Sequence, residues 1–281
     1  MISPEVLVVL FSLAAAATWG AADFGGGFAT KRASVFSVVI ITQAVGLVLL
    51  PFLALYFSEE FPPINGMFWG FVAGVAGSLG LLALYHALSI GKMGVVAPIS
   101  AVVTVALPVV YGAFNEGLPA GHQIAGFVMA IAAMWLISST GEKSKIKKQD
   151  LVYPLLAGVG FGIFFISVDL FSESAVFWPL TVAKVSAIAV ILGFALLRRS
   201  ATVPSKDVLP IIILAGLFDT GGNLFFALAS QAGRLDIATI IASLYPGSTV
   251  LLAWILLKEH LSSMQWIGIV LALAAIALIS L

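Results

Sequence analysis

Asp219 is a carboxylate near the middle of a long apolar stretch, Val208–Ser230. Placing an Asp at the centre of a membrane helix costs roughly 2.5–3.5 kcal/mol, so such a group faces a cavity or a partner. Asn223 follows four residues later and shares its helical face, which continues through Gly222, Phe226 and Ser230. Leu217, Leu224 and Leu228 fall on other sides and suit lipid or packing. The pair reads either as a contact for a solute or proton, or as a polar lock between helices. Lys184 is a second charge inside an apolar stretch, Val176–Leu197. It either pairs with Asp219, which offsets the burial of both, or snorkels to the nearer interface.

Other groups have weaker claims. Tyr85 and His86 lie about a turn before the end of Met67–Ile90. An imidazole titrates near neutral pH, so His86 reads as a proton relay or as a plain hydrogen-bonding group. Asp23 sits in Trp19-Gly20-Ala21-Ala22-Asp23-Phe24-Gly25-Gly26-Gly27. Gly25 and Gly26 belong to a triple glycine that is too loose for a rigid helix and reads as a gate. The bland alternative is a frayed helix end with Asp23 near Lys31 or Arg32. No Gly-Lys-Ser/Thr follows, so this is not a phosphate loop.

Pro98, Pro108 and Pro246 each remove a backbone donor from an apolar stretch and leave carbonyls free. Ser100, Thr104, Ser243, Tyr245 and Ser248 add polar groups nearby. Trp19 and Phe161, Phe164 and Phe165 either wall a cavity or simply pack. Asp169 is expected at an interface. Glu116 and Glu259 are expected to tie down the N-terminus of the helix that follows each of them.

Elements that position these residues follow from composition. The chain has 281 residues, 61% hydrophobic and 9% charged, where a soluble domain carries about 25% charge. Lipid must solvate most of its outer surface. Net charge is zero and cysteine is absent, which argues against a nucleic-acid partner, disulfides and thiolate metal sites. The three histidines are scattered, and neither a metal nor a cofactor is expected.

A membrane helix needs about 20 mainly apolar residues. Ten stretches qualify: Val6–Ala29, Val35–Phe57, Met67–Ile90, Val95–Phe114, Gln123–Ser139, Leu151–Phe171, Val176–Leu197, Val208–Ser230, Leu235–Leu257 and Met264–Leu281. In lipid each must satisfy its backbone internally, so each is read as a helix.

The halves repeat. Gln123-Ile124-Ala125-Gly126 matches Gln265-Trp266-Ile267-Gly268, and Trp19-Gly20 matches Phe161-Gly162, at an offset of about 142 residues. The expected units are 1–139, a basic linker 140–150, and 151–281. Five helices is an odd number, so the two halves insert with opposite orientation, and a site is expected at the midplane between them. The fold class is therefore an all-α polytopic bundle of ten transmembrane helices in two inverted five-helix repeats. Loops after helices 1, 3, 5, 7 and 9 hold all the loop Lys and Arg except Arg234. The positive-inside rule then makes the linker cytoplasmic and puts both termini outside.

Thr18-Trp19-Gly20, Leu84-Tyr85-His86-Ala87-Leu88, Pro98 through Pro108, Glu116 and Glu259, in this order and duplicated, resemble the EamA domain of the drug/metabolite transporter superfamily. That resemblance implies a central cavity lined by helices 1, 3, 4, 6, 8 and 9, with alternating access. It implies a role for the repeat-equivalent Gln43 and Lys184, where members often carry Arg. It also implies a metabolite as solute.

The expected function is a secondary transporter in the cell membrane that moves a small metabolite, an amino acid or similar, in the export direction, with a proton as a candidate coupling ion. The partners are that solute and the lipid bilayer, with the protein as monomer or homodimer. A lipid scrambler or a non-transporting scaffold is the alternative. No HExxH or Ser-His-Asp arrangement points to an enzyme.

Overall fold

The computed structural model describes residues 3–90, 93–138, 149–198, 203–258 and 260–280. Eleven helical segments make ten spans: α1 (Pro4–Thr30), α2 (Val35–Tyr56), α3 (Ile64–Ile90), α4 (Met93–Asn115), α5 (Gly121–Ser138), α6 (Gln149–Ser172), α7 (Phe177–Arg198), α8 (Leu209–Ala232), α9 (Leu235–Ala242) with α10 (Tyr245–Leu257), and α11 (Ser263–Ile279). No strand occurs among the described residues. Eight spans are long and apolar enough to cross a membrane, and two further apolar helices, Ile99–Asn115 and Ser263–Ile279, are shorter. Lipid suits the outer faces, which carry Val48, Leu55, Phe114, Leu197 and Leu273 in the open.

Two expectations about continuity change. The ninth span is not one helix: it stops at Ala242 and restarts at Tyr245. Pro246 offers no N–H to the carbonyl of Ala242, so the ladder cannot run through. Conversely, Gly25–Gly27 does not loosen α1, which runs unbroken to Thr30. Glycine costs a helix only about 1 kcal/mol per residue, and the flanking apolar turns carry it.

Packing runs mainly between the halves. α1 lies along α8 as α3 lies along α6, α2 meets α7, and α5 meets α11. Exchanging the halves maps this set of neighbours onto itself. The same exchange holds at several close helix crossings. A methyl on Gly126 of α5 would meet Cγ1 of Ile279 at 2.5 Å, and one on Gly268 of α11 would meet Cγ1 of Ile137 at 2.8 Å. Both glycines and both isoleucines are half a chain apart. Gly20 meets Thr249 on α10 as Gly162 meets Leu107 on α4. The helix starts obey it too: the Ala120 N–H donates to Oε1 of Gln123 (3.0 Å) and the Ser262 N–H to Oε1 of Gln265 (2.9 Å). Small residues at these crossings let backbones approach, which is where helices gain contact in lipid.

One end of the bundle is closed. Every residue of α9 except Ile237 is buried, whereas no residue of α10 is. At the α9 end, polar contacts join the halves. The Glu59 carboxylate, after α2, accepts the N–H groups of Val176 (2.7 Å), Phe177 (3.0 Å) and Trp178 (2.9 Å) and so caps α7. Glu116, after α4, accepts the Leu235 N–H (3.2 Å) and caps α9. It therefore ties down α9 in the other half, not the α5 that follows it in sequence. Glu259 lies outside the described residues. Arg234 donates to the carbonyls of Glu116 (3.2 Å) and Gly117 (2.8 Å), and Gly117 turns there at φ +85°.

Candidate functional site

Asp219 lies at the heart of the bundle. Lys184 Nζ is 2.6 Å from its Oδ2, and Gln43 Nε2 donates to the same oxygen at 3.4 Å. Lys184 is 3% exposed and the Asp219 side chain 26% exposed. Of the two expected fates of Lys184, pairing is the one found. Its stem crosses Gly46 of α2, where an added methyl would meet Cε at 2.8 Å and Thr220 Oγ1 at 2.6 Å. A larger residue at Gly46 would block the ammonium from Asp219. Gln43 enters from α2 and Lys184 from α7, which are repeat-related spans, and both end on one carboxylate.

Asn223 accepts a hydrogen bond from Trp19 Nε1 (3.2 Å). The indole lies against Gly222, with Phe165 and Phe226 at 5.7 Å and Tyr245 at 6.5 Å between ring centroids. The face of α8 read from sequence thus packs on α1 and α6, and Leu217 points away at 42% exposure. Ser230, the last residue of that face, donates to Oδ1 of Asp169. Asp169 is half-buried against α8 near the C-terminal end of α6.

Asp23 follows Trp19 by one turn on the same face of α1. Trp19 touches α6, α8 and α10, so this face points into the bundle. Asp23 is nevertheless exposed, as is Gly27 a turn further, and methyls on Gly26 and Gly27 would meet nothing within 4 Å. The face of α1 toward its Thr30 end is therefore loosely covered. Asp23 is within electrostatic reach of Asp219. It is held in helix, not in a frayed end, and no ion pair joins it to Lys31 or Arg32 among the described residues. Arg32 instead stacks over Phe28 at 5.2 Å.

Sequence candidates separate accordingly. Asp219, Asn223, Lys184, Gln43, Trp19, Tyr245 and Asp23 come together. His86 is exposed and sets its ring edge-on to Tyr153 of α6 at 4.3 Å. The Tyr85 side chain and residues 140–148 of the linker lie outside the described residues. Gly46, Thr220 and the Arg234–Asp236 pair were not singled out as site elements. Gly46 had a signal, since it follows Gln43 by three residues on the same face.

At the closed end the electrostatics are acid-rich. Arg234 pairs with Oδ2 of Asp236 (2.7 Å) and lies 3.8 Å from Glu116. Burial pushes the Glu116 carboxyl above its ordinary value of 4.5, with Asp236 and Asp169 adding to this against the Leu235 N–H and Arg234. The hydrogen bond to Asp236 pushes the Arg234 guanidinium still further up from its ordinary value. No group of three or more His, Cys, Asp or Glu arranged to hold a metal occurs among the described residues.

An all-helical bundle of membrane-length spans with charged groups paired in its middle is the architecture of a multi-pass membrane protein. Residues 151–281 match the EamA-like transporter family. That stretch is similar to EamA-like transporters, a family of membrane transporters of small solutes. An uncharacterized protein of Methanocaldococcus jannaschii is 26% identical over 131 residues, covering 47% of this chain and 96% of that protein. A solved crystal structure superimposes with a TM-score of 0.81 at 14% identity, covering 96% of this chain and 95% of the other. That likeness concerns the fold alone.

Proposed function

We propose that the chain is a secondary transporter of an amino-acid-like solute, working by alternating access in the cell membrane, with two EamA units at 1–139 and 151–281. The observation that carries this reading is the Lys184–Asp219 pair with the exposed Asp23 within electrostatic reach of it. The three groups offer one positive and two negative charges. A zwitterion fits them: its carboxylate meets Lys184, and its ammonium meets Asp23 or Asp219. Trp19 and Tyr245 supply an apolar wall for the side chain. A proton is the candidate coupling ion.

Two further observations support it. The archaeal relative is about half as long as this chain, which suits a unit that exists singly and here occurs twice. The exchange of neighbours between halves provides a second state in which the contacts now closing one end pass to the other. By the distribution of Lys and Arg, the open end faces the cytoplasm, which suits loading for export.

The test is flux in liposomes containing the purified protein. Counterflow of labelled amino acids, lost in Asp219→Asn and Lys184→Met, is the expected result. Flip of labelled lipid without any solute counterflow overturns the reading in favour of a scrambler.

A further inference from the structure

The ninth span loses its ladder inside the bundle, and the loss is specific. The Leu244 N–H turns back to the Ile241 carbonyl (3.1 Å) and the Gly247 N–H to the Leu244 carbonyl (2.9 Å). Pro246 has no N–H for Ala242. The carbonyls of Ile240, Ala242 and Ser243 thus lose the α-helical partner four residues on. Beside them, Thr239 and Ser243 lie four residues apart on one face. They are 0% and 2% exposed, and neither hydroxyl has a hydrogen-bond partner among the described residues. Buried hydroxyls almost always find a partner, so two orphans on one face call for an explanation.

Asp236 begins the same stripe but is occupied. Its Oδ1 accepts from Arg234 Nε (3.1 Å) and the Ile237 N–H (2.8 Å), and its Oδ2 accepts from Arg234 Nη2 (2.7 Å). What remains at the break is a set of neutral oxygen donors.

We propose that the break in the ninth span is a sodium site, with Thr239 Oγ1, Ser243 Oγ and the released backbone carbonyls as ligands. Neutral oxygens suit a single positive charge, whereas a divalent cation is held by carboxylates. A softer metal asks for sulfur or imidazole, and neither occurs in α9. Interrupted membrane helices provide carbonyls of this kind for ions. The break also adjoins the Asp219 group: Tyr245, the first residue after it, packs edge-on against Trp19, whose indole bonds Asn223. Bound sodium would fix the angle between α9 and α10 and with it the chamber wall.

The test measures binding alone, so it stands or fails apart from the transport reading. Full-length protein in detergent is titrated with radioactive sodium, and its Tm is recorded in sodium, potassium and choline chloride at equal ionic strength. Saturable sodium binding and a Tm rise specific to sodium are expected. Thr239→Val and Ser243→Ala should bind sodium at least tenfold more weakly while keeping the Tm in choline, because the hydroxyls they remove bond nothing. Thr239→Ser should keep both the binding and the shift. Absence of saturable binding to the unaltered protein overturns the proposal whatever the variants do. So does an equal rise in potassium, or full sodium binding in both hydroxyl-free variants.

Discussion

The ammonium of Lys184 sits 2.6 Å from Oδ2 of Asp219, and the Gln43 amide shares that oxygen. One carboxylate thus joins α2, α7 and α8, and a buried cation depends on it. Removing one partner of a buried pair costs roughly 3–5 kcal/mol, because the other charge is left behind. Lys184→Met alone should therefore lower the unfolding free energy at the lower end of that range, since Asp219 keeps some contact with open space. Adding Asp219→Asn should restore most of the loss. A denaturation cycle over the four proteins checks it, and purely additive losses would show that the two groups are not coupled.

Among the described residues Asp23 has no hydrogen-bond partner, so no network there holds its carboxylate. Asp23→Asn should change stability by no more than about 0.5 kcal/mol. Uptake of an amine-bearing solute should fall at least about tenfold, equivalent to about 1.4 kcal/mol. Thermal unfolding and liposome flux on the same preparation separate the two effects. Unchanged flux would remove Asp23 from the solute path.

Glycines that look alike in sequence should behave in opposite ways. Gly126→Val and Gly268→Val force side chains into reciprocal crossings of α5 and α11, and each should cost about 1–3 kcal/mol. Gly26→Ala meets empty space in a helix and should stabilise by about 0.5–1 kcal/mol. A gating role for Gly25 and Gly26 predicts in addition that the stabilised Gly26→Ala variant transports more slowly. Full-speed transport would reduce the triple glycine to a helical segment beside an open chamber.

The pH response of the closed end follows from Glu116, whose carboxyl is held above 4.5 mainly by burial. The folded form then takes up its proton at higher pH than the unfolded chain does. Its contribution to stability is fully present below 4.5 and is lost as pH rises through the higher folded value. Melting curves over that window should show the unaltered protein gaining stability on acidification relative to Glu116→Gln. Parallel curves for the two proteins would contradict it.

From the sequence alone came the ten apolar stretches, the doubling at half the chain, and the face of α8 bearing Asp219 and Asn223. Each is a matter of local period and composition, and spacing along one chain carries that information. Tertiary structure decided whether Lys184 snorkels or pairs, because both fates share one helix and differ only in what α2 places beside it. It moved Glu116 from the helix next in sequence to α9 in the other half, and gave Asp169 a partner in Ser230. It split the ninth span between Ala242 and Tyr245, where Pro246 marks a missing donor but cannot say how far the ladder opens. Nor could spacing reveal that Thr239 and Ser243 lack partners. A hydroxyl on an apolar helix looks the same in sequence whether or not a neighbouring span supplies an oxygen, and only packing settles that.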